Sequence, residues 1–93
     1  ALSLKADQKM QNTYLRNPKE NTCYFKLSLV LKDGTIIWKS DYLEPGLAFD
    51  RIKLKKPLKR GIYEDTTLQY DCYSIVDKRK QNGASVKLTL NVY

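Results

Sequence analysis

The most reactive side chains in this chain are two thiols, Cys23 and Cys72, and the sequence contains no histidine to accompany them. A catalytic cysteine needs a neighbouring base or cation to lower its pKa, and the commonest such base is missing. Neither a C-x-x-C motif nor a His/Cys cluster occurs, which argues against a structural zinc site. Two readings of the pair remain. One is a cross-strand disulfide, the preferred of the two; the other is a pair of reduced core thiols, since free cysteine is among the most buried residue types. The carboxylates add little. Glu64 and Asp65 are adjacent, so on a strand they would point to opposite faces and could not form the facing pair that glycoside hydrolysis needs. No catalytic residue, cofactor or metal is expected, and the chain reads as a non-enzyme.

Charge is the second chemical signal. Seventeen Lys and Arg against ten Asp and Glu give a net charge of +7 in 93 residues. Such an excess either marks an anionic neighbour or simply keeps a small domain soluble. The densest run lies between Arg51 and Arg60 and holds Arg51, Lys53, Lys55, Lys56, Lys59 and Arg60 with no acid among them. Arg51, Lys53 and Lys55 alternate with Ile52 and Leu54, so they share the solvent face of one strand. That stripe could grip an anionic polymer, lipid head groups or an acidic protein, or it could block edge-to-edge strand pairing. Blocking is preferred for Lys53 and Lys55. Lys59, Arg60 and a second cluster, Lys78-Arg79-Lys80, have no such structural explanation. A protein or an anionic envelope polymer is the expected partner. Nucleic acid is disfavoured, because no reader motif accompanies the charge. Trp38 and Tyr42 could stack a sugar ring, although Trp38 shares strand parity with Ile36, which favours the core.

The elements that must position these residues are strands. Turn signals recur at Asn17-Pro18-Lys19-Glu20-Asn21, Asp33-Gly34, Glu44-Pro45-Gly46, Pro57 to Gly61 and Gln81-Asn82-Gly83. Between them lie alternating, β-branched and aromatic segments, and no stretch carries a helical period. Strands are expected over 23–31, 36–40, 47–54, 63–75 and 84–93, with weaker signals at 2–4 and 9–16. Asp33-Gly34 suits a type I′ hairpin. The count of about seven predicts one all-β domain over 1–93, an immunoglobulin-like antiparallel sandwich. No apolar run is long enough to span a bilayer. The Ala1-Leu2-Ser3-Leu4 start has neither a basic region nor a long apolar stretch, so a mature form or an excised domain is expected.

Leu58-Lys59-Arg60-Gly61-Ile62-Tyr63 has the form L-x-x-G-x-Y. In sandwich domains a tyrosine at the start of strand F bonds back to the backbone of the preceding corner. With Tyr63 in that role, 63–75 is strand F and 23–31 is its antiparallel neighbour. Pairing Cys23 with Cys72 makes opposed positions sum to 95 and sets Phe25 against Tyr70 and Leu27 against Leu68. A slip of two residues would preserve the same faces. This register also requires a bulge or sharp twist near Glu64-Asp65.

Taken in order, Asn17-Pro18-x-x-Asn21, Asp33-Gly34-Thr35, Ser40, Pro45-Gly46, Leu58-x-x-Gly61-x-Tyr63 and Asn82-Gly83-Ala84 carry a resemblance. The chain resembles a group of uncharacterised immunoglobulin-like domains in secreted or lipid-anchored envelope proteins of Gram-positive bacteria, from about Ala6 to Val92. The resemblance implies an extracytoplasmic, bacterial cell-surface or secreted location, where a disulfide is permitted. Its motifs lie at turns and corners. They speak for fold and transfer no binding residue.

Overall fold

In the computed structural model, which describes residues 2–93, the alternating segments form seven strands and no helix. They are β1 (Leu2–Leu4), β2 (Met10–Arg16), β3 (Cys23–Val30), β4 (Ile36–Lys39), β5 (Ala48–Lys53), β6 (Gly61–Ser74) and β7 (Lys80–Val92). Five of them make one sheet, sheet A, in the order β1-β7-β6-β3-β4; β2 and β5 make a small second sheet, sheet B. No helix among the described residues is long and apolar enough to cross a membrane.

Alternation explains the burial. Leu27 and Leu29 of β3, Leu68 of β6 and Leu90 and Val92 of β7 are buried and share one face of sheet A. From the other layer come Ile52 of β5, with Leu15 and Phe49 packed against the same cluster. Leu43, Leu54 and Leu58 close it from the connections. Leu54 also bridges the sheets, because its amide bonds to the Lys9 carbonyl while that of Lys55 bonds to Ile37 of β4. Each buried leucine contributes about 1.5–3 kcal/mol of apolar transfer. This is what holds the two layers together.

The structure corrects the sequence reading in three places. First, the sheet is mixed: β1 runs parallel to β7, with Leu2 opposite Leu90 and Leu4 opposite Val92. A three-residue segment has no turn chemistry of its own, so its direction is fixed only by where Leu4 can be buried. Second, β3 and β6 pair with positions summing to 97, so that Phe25 faces Cys72 and Cys23 faces Ser74. The two-residue slip leaves every face unchanged and puts Tyr70 opposite Leu27. Third, the β3–β4 hairpin is not a type I′ turn. Gly34 has a positive φ of 92° but Asp33 does not, and the Gly34 amide bonds to the Leu31 carbonyl at 2.9 Å. This is a three-residue loop with glycine in the left-handed position. The Asp33 carboxylate accepts from the Thr35 amide at 2.9 Å.

At the β6–β7 pair one expectation is met and another is corrected. The β6–β7 register shifts between Tyr63 and Thr66, with Asp65 at a φ of 55°, so an irregularity does fall at Glu64-Asp65. The strand expected from Ala84 begins earlier, at Lys80. Gln81-Asn82-Gly83 is therefore not a turn but a bulge in β7, between the pairs Tyr70–Ala84 and Cys72–Gln81. A Cβ on Gly83 would overlap the Tyr70 carbonyl oxygen, so only glycine fits this bulge.

Candidate binding surface

Local structure distributes the basic residues rather than gathering them. Arg51 and Lys53 project from β5 into solvent, alternating with buried Ile52, and Lys55 lies exposed just beyond the strand. Lys59 and Arg60 are exposed on the corner before β6. The Lys59 backbone serves a structural purpose, because its carbonyl accepts the Tyr63 hydroxyl at 2.8 Å. Lys78 and Arg79 sit beyond the far end of β6, in the loop leading into β7, and Lys80 opens β7. At about 3.3 Å per residue, β6 separates the two groups by roughly 40 Å, close to the 42 Å long axis of the molecule. They are therefore two patches and not one stripe.

Side chains that the charge pattern did not single out assemble around Lys78. On the outer face of sheet A, Tyr24 and Lys26 of β3 stand beside Tyr73 and Asp71 of β6. Tyr42, from the connection after β4, leans onto them, with ring centroids 5.7 Å from Tyr24 and 5.3 Å from Tyr73, both edge-to-face. The Lys26 ammonium lies 4.5 Å from the Tyr42 ring centre and 5.7 Å from that of Tyr73; the Lys78 ammonium lies 5.1 Å from Tyr42. Ring quadrupoles attract such cations by about 0.5–1 kcal/mol at exposed sites. Lys78 reaches back because its own φ is 57°, a left-handed turn that folds the loop toward the sheet. Beside the cluster runs a groove of about 200 Å³ lined by Lys26, Ser28, Lys39, Ser40, Asp71 and Tyr73. Among the described residues, ion pairs form only between Lys32 and Asp65 and between Arg79 and Asp77, each at 3.8 Å. The ammoniums of Lys26, Lys39 and Lys78 are left unpaired. The signal available beforehand was the outward parity of Tyr24 and Lys26; nothing local linked them to Tyr42 or Tyr73.

Trp38 is 6% exposed and packs edge-to-face on Phe49 at 5.7 Å, so it belongs to the core and stacks no ligand. Cys23 is buried and Cys72 half-buried; both are free thiols, placed diagonally by the register rather than directly opposed. Desolvation, then a hydrogen bond with Cys23, its charge and that of Asp71, push the Cys72 thiol up to about 11. At neutral pH it stays protonated, which makes it a poor nucleophile.

One buried polar side chain supports this end of the molecule. Asn17 is fully buried, and its amide donates to the carbonyls of Cys23 at 2.9 Å and Leu43 at 2.8 Å. Its own carbonyl oxygen accepts from the Asn21 side chain at 2.7 Å. The Asn-Pro-x-x-Asn turn thus clamps the start of β3 to the segment that carries Tyr42.

Comparison of the chain with protein-family models, curated proteins and solved structures returns no match.

Proposed function

We propose that the chain is a non-catalytic interaction module of immunoglobulin-like topology, working at a bacterial cell surface or in secretion. It holds an anionic envelope polymer against the outer face of sheet A. The topology is supported by the run β7-β6-β3-β4, which follows the G-F-C-C′ order, and by β2-β5, which follows B-E. The Tyr63–Lys59 hydrogen bond at the start of β6 lies where such domains carry their corner tyrosine. The second sheet departs from the usual pattern in having two strands.

The observation that carries the reading is the tyrosine–lysine cluster. Tyr42 and Tyr73, with Tyr24 packed against Tyr42, hold the Lys26 and Lys78 ammoniums beside a groove lined by hydroxyls, Lys39 and one carboxylate, Asp71. Fixed cations beside aromatic edges and hydroxyls suit a polymer that alternates phosphate or carboxylate with sugar or polyol units. Lys59 and Arg60 on the corner and Arg51 on β5 are exposed, hold no cation–ring contact among the described residues, and serve long-range attraction.

Salt-gradient elution from immobilised teichoic acid tests this. Lys26→Glu with Lys78→Glu should elute at clearly lower salt than the parent. Arg51→Glu with Lys59→Glu and Arg60→Glu changes more charge, yet should shift elution less. If the triple variant loses retention and the double variant keeps it, the contact lies at the corner and the assignment is wrong.

A further inference from the structure

The hairpin that joins β6 to β7 carries apolar side chains where turn chemistry favours polar ones. Val76 is 95% exposed and Ile75 43% exposed, side by side at the tip. The turn beneath them is ordered by its own hydrogen bonds. The Ser74 amide donates to the Arg79 carbonyl at 2.9 Å, and the Lys78 amide to the Ser74 carbonyl at 2.8 Å. The Ser74 hydroxyl accepts from the Val76 amide at 3.2 Å, and the Asp77 carboxylate from the Arg79 amide at 3.0 Å. A fixed turn therefore holds Val76 out in water, where apolar surface is unfavourable. β1 and Tyr93 lie at the opposite end of the β6–β7 pair, beside Leu90 to Val92.

Charge selects what the tip can enter. Lys78, Arg79 and Lys80 follow Val76 with one carboxylate, Asp77, beside them, and that carboxylate pairs with Arg79 at 3.8 Å. Tyr73 faces Lys80 across the strands and Tyr42 lies against Lys78, so two phenol rings stand just behind the tip. An apolar point, then a collar of cations, then tyrosines matches the order of a bilayer surface, from acyl chains outward to anionic headgroups. A hydrated polymer offers Val76 no apolar surroundings, and a second copy meeting tip to tip would oppose like charges. We propose that the β6–β7 hairpin docks on an anionic lipid bilayer. Ile75 and Val76 enter the outer acyl region, and Arg79 and Lys80 meet the lipid phosphates. The contact is peripheral and needs no spanning segment. Its apolar anchors take no part in the tyrosine–lysine cluster, so this proposal and the polymer reading can fail separately.

The probe is a vesicle of equal parts phosphatidylglycerol and phosphatidylcholine, with phosphatidylcholine alone as the control, and binding is read by sedimentation. The protein should partition onto the anionic vesicles and not onto the neutral ones, and salt should weaken the binding. Lys80→Glu should weaken it about fivefold or more, the effect of losing one cation near such a surface. Ile75→Asn with Val76→Asn leaves the charge unchanged and should also weaken it. Val76→Phe, on an exposed side chain that leaves the fold intact, should tighten it, because more apolar area enters the lipid. In Val76→Trp, brominated acyl chains should quench the new indole, while Trp38, buried in the core, keeps its emission. Equal binding to both kinds of vesicle, or to neither, would overturn the proposal. Anionic binding that ignores the Val76 variants and shows no quenching would place the headgroups on the tyrosine–lysine cluster and overturn it as well. A gain by Val76→Phe on teichoic acid but not on vesicles would assign the tip to the polymer instead.

Discussion

The two ends of sheet A are made of the same alternating strands and are held together differently. At the end where β6 begins, Leu4, Leu58, Leu90 and Val92 are sealed beneath β1 and the corner. At the end where β6 finishes, residues 70–74 are half-buried and residues 80–87 are exposed. Cohesion there comes from Asn17 hydrogen bonds and from ring edges. Apolar alternation alone therefore does not bury a strand; a second layer must lie over it, and sheet B is too small to cover both ends. The uncovered end carries the tyrosine–lysine cluster.

The sharpest test of this contrast compares two truncations on one strand. Leu90→Ala should cost about 3–4 kcal/mol, as for a fully buried leucine, whereas Val86→Ala should cost less than about 1 kcal/mol because water already reaches that side chain. Urea denaturation measures both, and similar losses would mean that the open end is covered in solution. Next in size is Asn17→Ala, which strips the donor from two buried carbonyls and should cost about 2–3 kcal/mol. A thermal scan reads it; a loss under about 0.5 kcal/mol would place water at those carbonyls. Tyr63→Phe removes one hydroxyl bond at the sealed end and should cost about 1 kcal/mol with the ring packing retained.

The smallest effect concerns pH at the open end. The folded Cys72 thiol lies near 11 against an ordinary 9.0. The folded state therefore binds this proton more tightly than the unfolded chain. The stabilisation is complete below about pH 9 and is lost as pH rises from there toward about 11. Urea midpoints over that window should fall more for the parent than for Cys72→Ser; parallel curves would show that the thiol meets water in both states.

How much was legible beforehand differs from residue to residue. Leu27, Leu29, Leu68 and Leu90 could be assigned to the interior because period two is a local property. Tyr63 could be singled out because its spacing from Leu58 and Gly61 is local as well. The β3–β6 register could not be fixed, since sums of 95 and 97 place the same residues on the same faces. Gln81-Asn82-Gly83 has turn composition but lies near the start of β7, where the hairpin's own hydrogen bonds override that preference. Tyr42, Tyr73 and Lys26 come from three separate segments, and no spacing rule links them.

Composition and alternation were enough to determine an all-β chain, its inward leucines and a surplus of cations on its surface. Tertiary packing alone decided the direction of β1, the diagonal placement of the cysteines and which cations meet tyrosines. The physical reason is range. Side-chain parity and turn preference act over a few residues, whereas pairing partners and exposed edges depend on which segments can share one limited core.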